Sequence, residues 1–486
     1  MISVQTAAPE FISDIGDMLR LFLGDVQIVE AQGGATYVHA AIEENGQITD
    51  RWSCGGASRA LASPAPVGTP VEIRRARKRQ VKMALYLLLR DQTGMQPPWG
   101  ALTGIRPTRL LYEGLDAGLG MEEARARVMN EFDVSADRAE LLCEIARMQR
   151  GVRTPEPGSF DLYIGIPFCR TRCSYCSFSS GEIGRNQRLV APYVEALIRE
   201  IRESAKLMAE AGLHVRAAYM GGGTPTAIPC GDLERILAAA REAFPGAVEW
   251  TVEAGRPDTI DREKLMMLRR MEITRISVNP QTFSDETLAR IGRSHSGADT
   301  VAAYRLAREL GFDDVNMDLI AALPGETPEV FSATLDRVIE LAPESVTVHS
   351  LAIKRSSRLH EELHVSGAGH TQVSAAGAGE MIACARARLT QAGWRPYYLY
   401  RQKYMAGNLE NVGYARSGKA CLYNIGNMEE TASVLALGAG AISKWLFGGR
   451  DLRIERAANV KNIEEYVQRV DEMVERKRAL ILPEGR

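Results

Sequence analysis

The stretch Tyr163–Phe178, YIGIPFCRTRCSYCSF, constrains this chain more than any other. It places Cys169, Cys173 and Cys176 in a C-x3-C-x2-C spacing, with no fourth cysteine or histidine close by in sequence. Thiolates are soft ligands that select zinc, copper(I) or iron–sulfur clusters. Structural zinc closes its shell with four ligands, and a [4Fe–4S] cluster also normally takes four thiolates. Three thiolates therefore leave one iron open to a ligand that the protein does not supply. The apolar run Leu162–Ile166 leads straight into Cys169 and reads as a strand. A glycine-rich turn, Gly221-Gly222-Gly223, follows at the distance that one helix and one strand need. Incidental or buried cysteines do not come with that setting.

Composition narrows the rest. With 486 residues the chain can bury large cores and is long enough for more than one domain. Its hydrophobic fraction of 45% and charged fraction of 25% are those of a globular protein. A formal net charge of −2 sets up no global field toward nucleic acid. No signal peptide and no apolar run of about eighteen residues is present, so no membrane span is expected. The other cysteines, Cys54, Cys143, Cys230, Cys384 and Cys421, are scattered, a usage that fits the reducing cytoplasm.

Residues 1–73 read as a small α/β unit. Phe11, Ile12, Ile15, Met18, Leu19, Leu21 and Phe22 fall at helical spacing. Val26–Val29 and Thr36–Ala40 read as strands, with Gly33-Gly34 as the turn between them. His39 reads as a strand residue rather than a ligand. Residues 74–158 are predicted mainly helical, with two helices over 121–150 and a linker at Thr154–Gly158. The run Arg74-Arg75-Ala76-Arg77-Lys78-Arg79 opens an amphipathic helix. Without aromatic interleaving it suits a solvated face better than a nucleic-acid patch, and it could also meet an anionic small molecule. The loop Pro97–Arg109 is too rich in Gly, Pro and Trp for plain helix.

Over 159–355 strand and helix alternate. Strand-like runs fall at Leu162–Ile166, Ala217–Met220, Glu249–Val252, Arg275–Val278, Val315–Ile320 and Val346–Leu351, with the first helix near 187–211. Repeated β/α units predict a parallel sheet with helices outside. Ligands in such folds gather at the C-terminal strand ends, where the cysteines lie. Gly221–Thr226, GGGTPT, follows the second strand, and its glycines let backbone groups approach a ligand. Glu253 ends the third strand and offers acceptors to hydroxyls or an amine. Gln281 follows the fourth strand, and Arg293 beyond it suits a carboxylate. Asp318 lies in the fifth strand and Ala352 follows the sixth. Taken singly, each polar residue is more often a structural partner than a ligand.

The cysteine spacing, the GGGTPT string and this order of rim residues resemble the radical S-adenosylmethionine (SAM) enzymes, in particular the oxygen-independent coproporphyrinogen III oxidase group. The resemblance implies an α/β chain: a radical SAM partial (β/α)6 barrel over 159–355, an N-terminal α/β domain, and a C-terminal α+β extension over 356–486. It implies a [4Fe–4S] cluster on Cys169, Cys173 and Cys176, with the open iron chelated by the amino and carboxylate groups of SAM. An electron from the cluster would cleave SAM to methionine and a 5′-deoxyadenosyl radical. SAM contacts carried over on the match are Tyr163, Tyr175, Gly222, Gly223, Thr224, Glu253, Gln281, Arg293, Asp318 and Ala352. The strings WGALTGIRPTR and YRQKYMAGNLENVGY resemble the HemZ-type coproporphyrinogen dehydrogenase branch.

That branch implies a porphyrinogen substrate, coproporphyrinogen III, and oxidative decarboxylation of two propionates to vinyls, giving protoporphyrinogen IX for haem biosynthesis. It also implies an electron donor such as flavodoxin or ferredoxin. Four substrate carboxylates need cations, and Lys354, Arg355, Arg358, Arg401 and Lys403 are candidates. Alternation explains Tyr398 and Tyr400 as strand residues, and Arg401 and Lys403 would share one face of the same strand as a substrate clamp. One position departs from the oxidases: they carry a further cysteine two residues after the third cluster ligand, and this chain has Phe178. The form C-x2-C-x-F resembles the related haem chaperones. A haem-binding chaperone, or another radical reaction on a porphyrin, therefore stays open. His349, His360, His364 and His370 could ligate haem. The last helix, near 460–478, is predicted to be a lid or a support.

Overall fold

The computed structural model describes the chain except Asp25, Ile105, Arg355, residues 366–372, Lys403, Tyr404, Ala406, Gly407, and residues 449–452 and 483–486, with only the backbone described for 363–365. Two units form, Met1–Cys143 and Glu144–Arg486.

The first unit carries the strands β1 (Ile2–Gln5), β2 (Ile28–Glu30), β3 (Tyr37–Glu44), β4 (Gln47–Cys54) and β5 (Ala57–Pro64) in the order β2-β1-β3-β4-β5. The two strands predicted as neighbours, now β2 and β3, are separated by β1, which runs parallel to both. Four residues of β1 are too few to show a period in the sequence. Helix α1 (Ile12–Leu23) buries Ile15, Met18, Leu19 and Phe22 as spaced. Helix α2 (Pro70–Thr93) begins at a capping box between Thr69 and Glu72. The predicted boundary at 73/74 falls inside it. Its residues Val81, Ala84, Leu85, Leu88 and Leu89 share one core with Trp52 and α1, so sheet and helix stand together. His39 is a buried strand residue: its ring nitrogens lie 2.9 Å from Thr6 Oγ1 and 3.0 Å from Asp50 Oδ1. Arg77 closes that network on both Asp50 oxygens at 2.9 Å. Helices α3 (Thr108–Asp116), α4 (Met121–Phe132) and α5 (Ala136–Met148) follow.

In the second unit the predicted parallel strands form in order. They are β6 (Ser159–Ile166), then, past two short strands β7 (Phe168–Cys169) and β8 (Gly181–Glu182), β9 (His214–Gly222), β10 (Glu249–Gly255), β11 (Arg275–Val278), β12 (Val315–Ala321) and β13 (Ser345–Ser350). The crossovers carry α6 (Ile183–Glu210), α7 (Cys230–Ala243), α8 (Arg262–Arg270), α9 (Asp285–Arg290), α10 (Gly297–Glu309) and α11 (Pro328–Leu341). Side chains alternate across the strands. Glu253, Ser277, Asp318 and Thr347 line a cavity, while Val252, Ile276, Met317 and Val348 are buried between them.

The C-terminal part adds α12 (Arg358–Val365), α13 (Ala375–Gln391), β14 (Arg395–Tyr400), β15 (Asn411–Ala415), α14 (Leu422–Glu429), β16 (Ser433–Leu437), β17 (Ile442–Phe447), β18 (Arg453–Ala458), α15 (Ile463–Gln468) and α16 (Val470–Ile481). Its strands extend the same sheet at both ends, giving the order β14-β15-β13-β12-β11-β10-β9-β6-β16-β17-β18. The predicted boundary at 355/356 thus separates strands of one sheet. The terminal helix region is a support. Buried Glu200 of α6 accepts from Gly438 N (2.8 Å), Tyr466 OH (2.6 Å), Asn459 Nδ2 (2.8 Å) and Lys477 Nζ (2.6 Å), tying α15 and α16 down. A buried charge is tolerable when every oxygen is satisfied in this way. No helix among the described residues is long and apolar enough to cross a membrane.

Candidate active site

Strand β6 delivers the chain to the cysteines. Just beyond it, β7 pairs in parallel with β8, Phe168 opposite Gly181 and Cys169 opposite Glu182, and clasps the intervening loop by its two ends. The loop is also pinned from outside. Arg256 Nη1 donates to Thr171 O (3.0 Å) and Oγ1 (2.8 Å), Ser174 N donates to Ile291 O (3.0 Å), and Thr171 Oγ1 donates to Gly292 O (3.0 Å). Cys169, Cys173 and Cys176 are free thiols lining one cavity of about 430 Å³. Burial pushes the Cys169 and Cys176 thiols up, so their deprotonation is coupled to metal binding. Three free thiols lining one cavity are the ligand type and number that a [4Fe–4S] cluster with one open iron takes.

The glycine turn is laced to the same strand. Gly223 N donates to Ile166 O and Thr224 N to Phe168 O, both at 2.7 Å. A Cβ on Gly223 would come within 2.5 Å of Phe168 O, so this approach needs glycine. The Thr224 hydroxyl lies 3.7 Å from Cys169 Sγ. Gln281 adopts φ +66°, held there because its N–H donates to Asp318 O (2.9 Å) and its carbonyl accepts from Ile320 N (3.0 Å). Arg293 Nη1 donates to Asn279 O at 2.6 Å. Burial opposes the charge of Arg293, but Tyr175 and Cys173 beside it raise its pKa. Its Nε is buried with no hydrogen-bond partner among the described residues. An unspent guanidinium donor beside the cysteines fits a carboxylate ligand such as that of SAM.

Two carboxyls face the cavity with opposite tendencies. Burial pushes Glu253 up to about 7, although Tyr219 OH donates to it at 2.6 Å and works the other way. Burial also acts on Asp318, but His349 and Asn316 outweigh it and hold that carboxyl below its usual range. The Asn316 amide donates at 2.8 Å, and His349 Nε2 lies 3.9 Å from Asp318 Oδ2. Tyr163, Tyr219 and Tyr423 stack on one side, with Tyr219 and Tyr423 centroids 4.7 Å apart.

The structure brings Tyr163, Tyr175, Gly222, Gly223, Thr224, Glu253, Gln281, Arg293, Asp318 and Ala352 to this cavity together with the cysteines. The candidate cations separate. Lys354 lines the cavity. Arg358 is half exposed and donates to Glu182 Oε1 at 3.4 Å. Arg401 is buried and does not line the cavity: β14 ends at Tyr400, and Arg401 Nη2 donates to the Asn408 carbonyl at 3.0 Å. Hence the strand face predicted for Arg401 and Lys403 is not built from β14. Lys403 and Arg355 lie outside the described residues. Of the histidines, His349 reaches the cavity and lies 3.3 Å from Tyr400 OH. His360 sits on α12, and the side chains of His364 and His370 lie outside the described residues. Sequence reasoning missed Arg256, Tyr219 and Tyr423. Tyr219 sits two residues before Gly221 on the inward face of β9, a period-two signal that was legible. Tyr423 stands in α14, and nothing local ties it to β6.

The matching family model, the Radical SAM superfamily, spans residues 163–338. Over 422 residues the chain is 38% identical to the oxygen-independent coproporphyrinogen-III oxidase-like protein HemZ of Bacillus subtilis, covering 85% of this chain and 83% of that protein. Over 313 residues it is 28% identical to the heme chaperone HemW of Escherichia coli, covering 63% and 75%. Among solved structures, coproporphyrinogen III oxidase (HemN) from Escherichia coli, a radical SAM enzyme, matches with a TM-score of 0.53 and 28% identity over 69% of this chain and 73% of that one. Kinship over most of its length, beyond the barrel alone, makes this chain a member of the HemZ-like family of radical SAM proteins, with a [4Fe–4S] cluster and SAM as its cofactors.

Proposed function

We propose that the chain is an oxygen-independent coproporphyrinogen III dehydrogenase, converting two propionates to the vinyls of protoporphyrinogen IX. One observation carries the reading. A single cavity runs from the cysteine loop, past the Glu253, Gln281 and Arg293 rim, to a wall containing Tyr398, Tyr400 and Lys354. An aromatic, hydrogen-bonding wall with a cation suits a pyrrole ring that bears carboxylates. The names of the HemZ and HemN relatives support the same substrate class.

When bound, the cluster and SAM supply hydrogen-atom abstraction. The chain's own part is positioning and exclusion of water. Arg293 Nε would hold the SAM carboxylate, the Gly222–Thr224 backbone would border its amino group, and ionised Glu253 would accept from hydroxyls. Lys354 pairs with a propionate. Each propionate gives up a β-hydrogen atom, carbon dioxide and one electron, which passes to a one-electron acceptor. A donor such as flavodoxin or ferredoxin supplies the cluster. Anaerobic incubation with coproporphyrinogen III, SAM and a low-potential reductant, read by mass, is expected to give a mono-decarboxylated species and then protoporphyrinogen. Absence of both products from cluster-replete protein overturns the reading.

Phe178 favours a second reading. It stands where the oxidases carry their further cysteine, its side chain is 66% exposed, and the chain also resembles HemW. A haem chaperone would bind haem stoichiometrically in the same assay and form no decarboxylated product.

A further inference from the structure

Two features of the sequence are not used by the barrel: the basic run at 74–79 and the loop Pro97–Arg109. They meet within the first unit, around a cavity of about 230 Å³. Arg75, Lys78, Arg79 and Lys82 fall at i, i+3, i+4 and i+7 on α2, which puts them on one stripe facing the loop. Arg106 and Arg109 line the cavity from the loop side, and no acidic side chain lines it among the described residues. Carboxylates stand outside it: Asp14 lies 3.4 Å from Lys78, Glu131 lies 3.4 Å from Arg79, and Glu113 lies 3.8 Å from Arg109. Those pairs are well exposed and weak, so they hold Lys78, Arg79 and Arg109 only loosely. The other residues of the run have different tasks. Arg77 is turned onto Asp50, and Arg74 lies over the Phe11 ring.

The floor between the cations is apolar, made by Met83, Leu102, Pro107, Leu110 and Phe132. It is also fixed in advance. Gly100 has φ +52°, and a Cβ there would come within 2.0 Å of the Phe132 carbonyl, to which Ala101 N donates at 2.8 Å. Lys82 Nζ donates to Thr103 Oγ1 at 2.5 Å, and the Arg79 guanidinium covers the Phe132 ring at 4.7 Å. The first turn of α3 opens onto the cavity at Pro107 and Leu110 without a side-chain cap, and so adds the positive end of its dipole.

We propose that this cavity is a second ligand site, separate from the barrel, for an organic anion that carries two or more carboxylate or phosphate groups on an apolar body. Titration calorimetry on the full chain at low ionic strength tests this with two probes, benzene-1,2,4-tricarboxylate and 1,4-phenylene bisphosphate. At least one should bind saturably at one site. Binding should weaken at least tenfold in Arg75→Glu, by less in Arg75→Gln, and on addition of salt. It should be unchanged in Arg293→Ala, which alters only the barrel. Arg75 is exposed, so circular dichroism and SAM binding should be the same in both Arg75 variants. Tighter binding of the tricarboxylate assigns the natural ligand to the carboxylates, and tighter binding of the bisphosphate assigns it to the phosphates. No saturable binding of either probe, or binding that Arg75→Glu leaves intact, overturns the proposal.

Discussion

The cysteine rim and the tyrosine wall line the same cavity but are built in opposite ways. The rim is main-chain work: Gly223 and Thr224 donate to the carbonyls of Ile166 and Phe168, Gln281 is bonded through both of its peptide groups to β12, and the β7–β8 clasp closes the cysteine loop. Its charged side chain Arg293 keeps a donor in hand. The wall is side-chain work. Tyr219 donates to Glu253 and Tyr423 stacks on Tyr219. Arg275, deeper in the cavity, is bound to Glu249 (2.7 Å) and Asp314 (3.0 Å). Main-chain lacing tolerates almost no change at a position such as Gly223. The stacked phenols meet only through side chains, and in the buried set of Arg275, Glu249 and Asp314 the loss of one member leaves a charge unpaired. The cysteine side is thus fixed by backbone and the tyrosine side by side-chain contacts.

The largest effect should come from breaking the rim at the metal. Cys173→Ala should lower the iron content from about four per chain and reduce SAM cleavage to background, read by iron assay and 5′-deoxyadenosine release. Wild-type-like release would falsify the ligand set. Next in size, Arg293→Ala should weaken SAM binding by about 1.5–3 kcal/mol, the range for a hydrogen bond to a charged group, with the cluster retained. Equal SAM affinity in calorimetry would make Arg293 a purely structural residue.

Glu253 sharpens the comparison because it belongs to both regions. Its folded pKa is raised from 4.5 to about 7, so the folded chain holds a proton that the unfolded chain has released. Stability without SAM should therefore fall as pH rises from about 4.5 to about 7, by up to ~3 kcal/mol at 1.36 kcal/mol per unit. Glu326, also raised to about 7, and Asp161, raised to about 6, follow the same trend. The Glu253 share is thus the difference between wild type and Glu253→Gln in denaturant melts across that range. A flat difference curve would show that Glu253 does not titrate there. Tyr219→Phe removes the hydrogen bond that lowers Glu253, and should move the pH midpoint of SAM binding upward. The smallest effect belongs to the wall: Lys354→Ala should raise the KM for porphyrinogen severalfold and leave SAM binding unchanged. A change in SAM affinity instead would place Lys354 on the cofactor side.

The rim was legible because most of its residues lie on or just after strands that announce themselves. Glu253 and Asp318 lie within strands, and the cysteines follow one, whose apolar runs are nearly continuous, and local order fixes where they point. Tyr423 and Arg256 were not legible as a pair of cavity residues, since their partners, Tyr219 and Thr171, are distant in sequence and only the closed sheet joins them. The Arg401 prediction depended on extending a strand period past Tyr400; the strand stops there, and the arginine is used to hold the Asn408 carbonyl. In the first unit the order of strands was hidden by β1, whose four residues carry no period. The sorting of Arg74, Arg75 and Arg77 onto three different partners or surfaces was equally invisible, because a charge run says nothing about which face of a helix each member occupies.

The neighbours of β6 carry a consequence for biosynthesis. On one side it pairs with β9, but on the other it pairs in parallel with β16, Leu162 opposite Leu435 and Tyr163 opposite Ala436. As the chain leaves the ribosome, the strand that leads into the cysteines keeps an unpaired edge until Leu437 has emerged. Such an edge is a template for misassembly, and a pairing of such long sequence separation forms late. The cysteine loop is therefore complete long before its supporting strand has both partners. Delivery of iron and sulfide is best timed after translation has ended, and a chain truncated before β16 should be recovered in inclusion bodies rather than as a soluble apo-barrel.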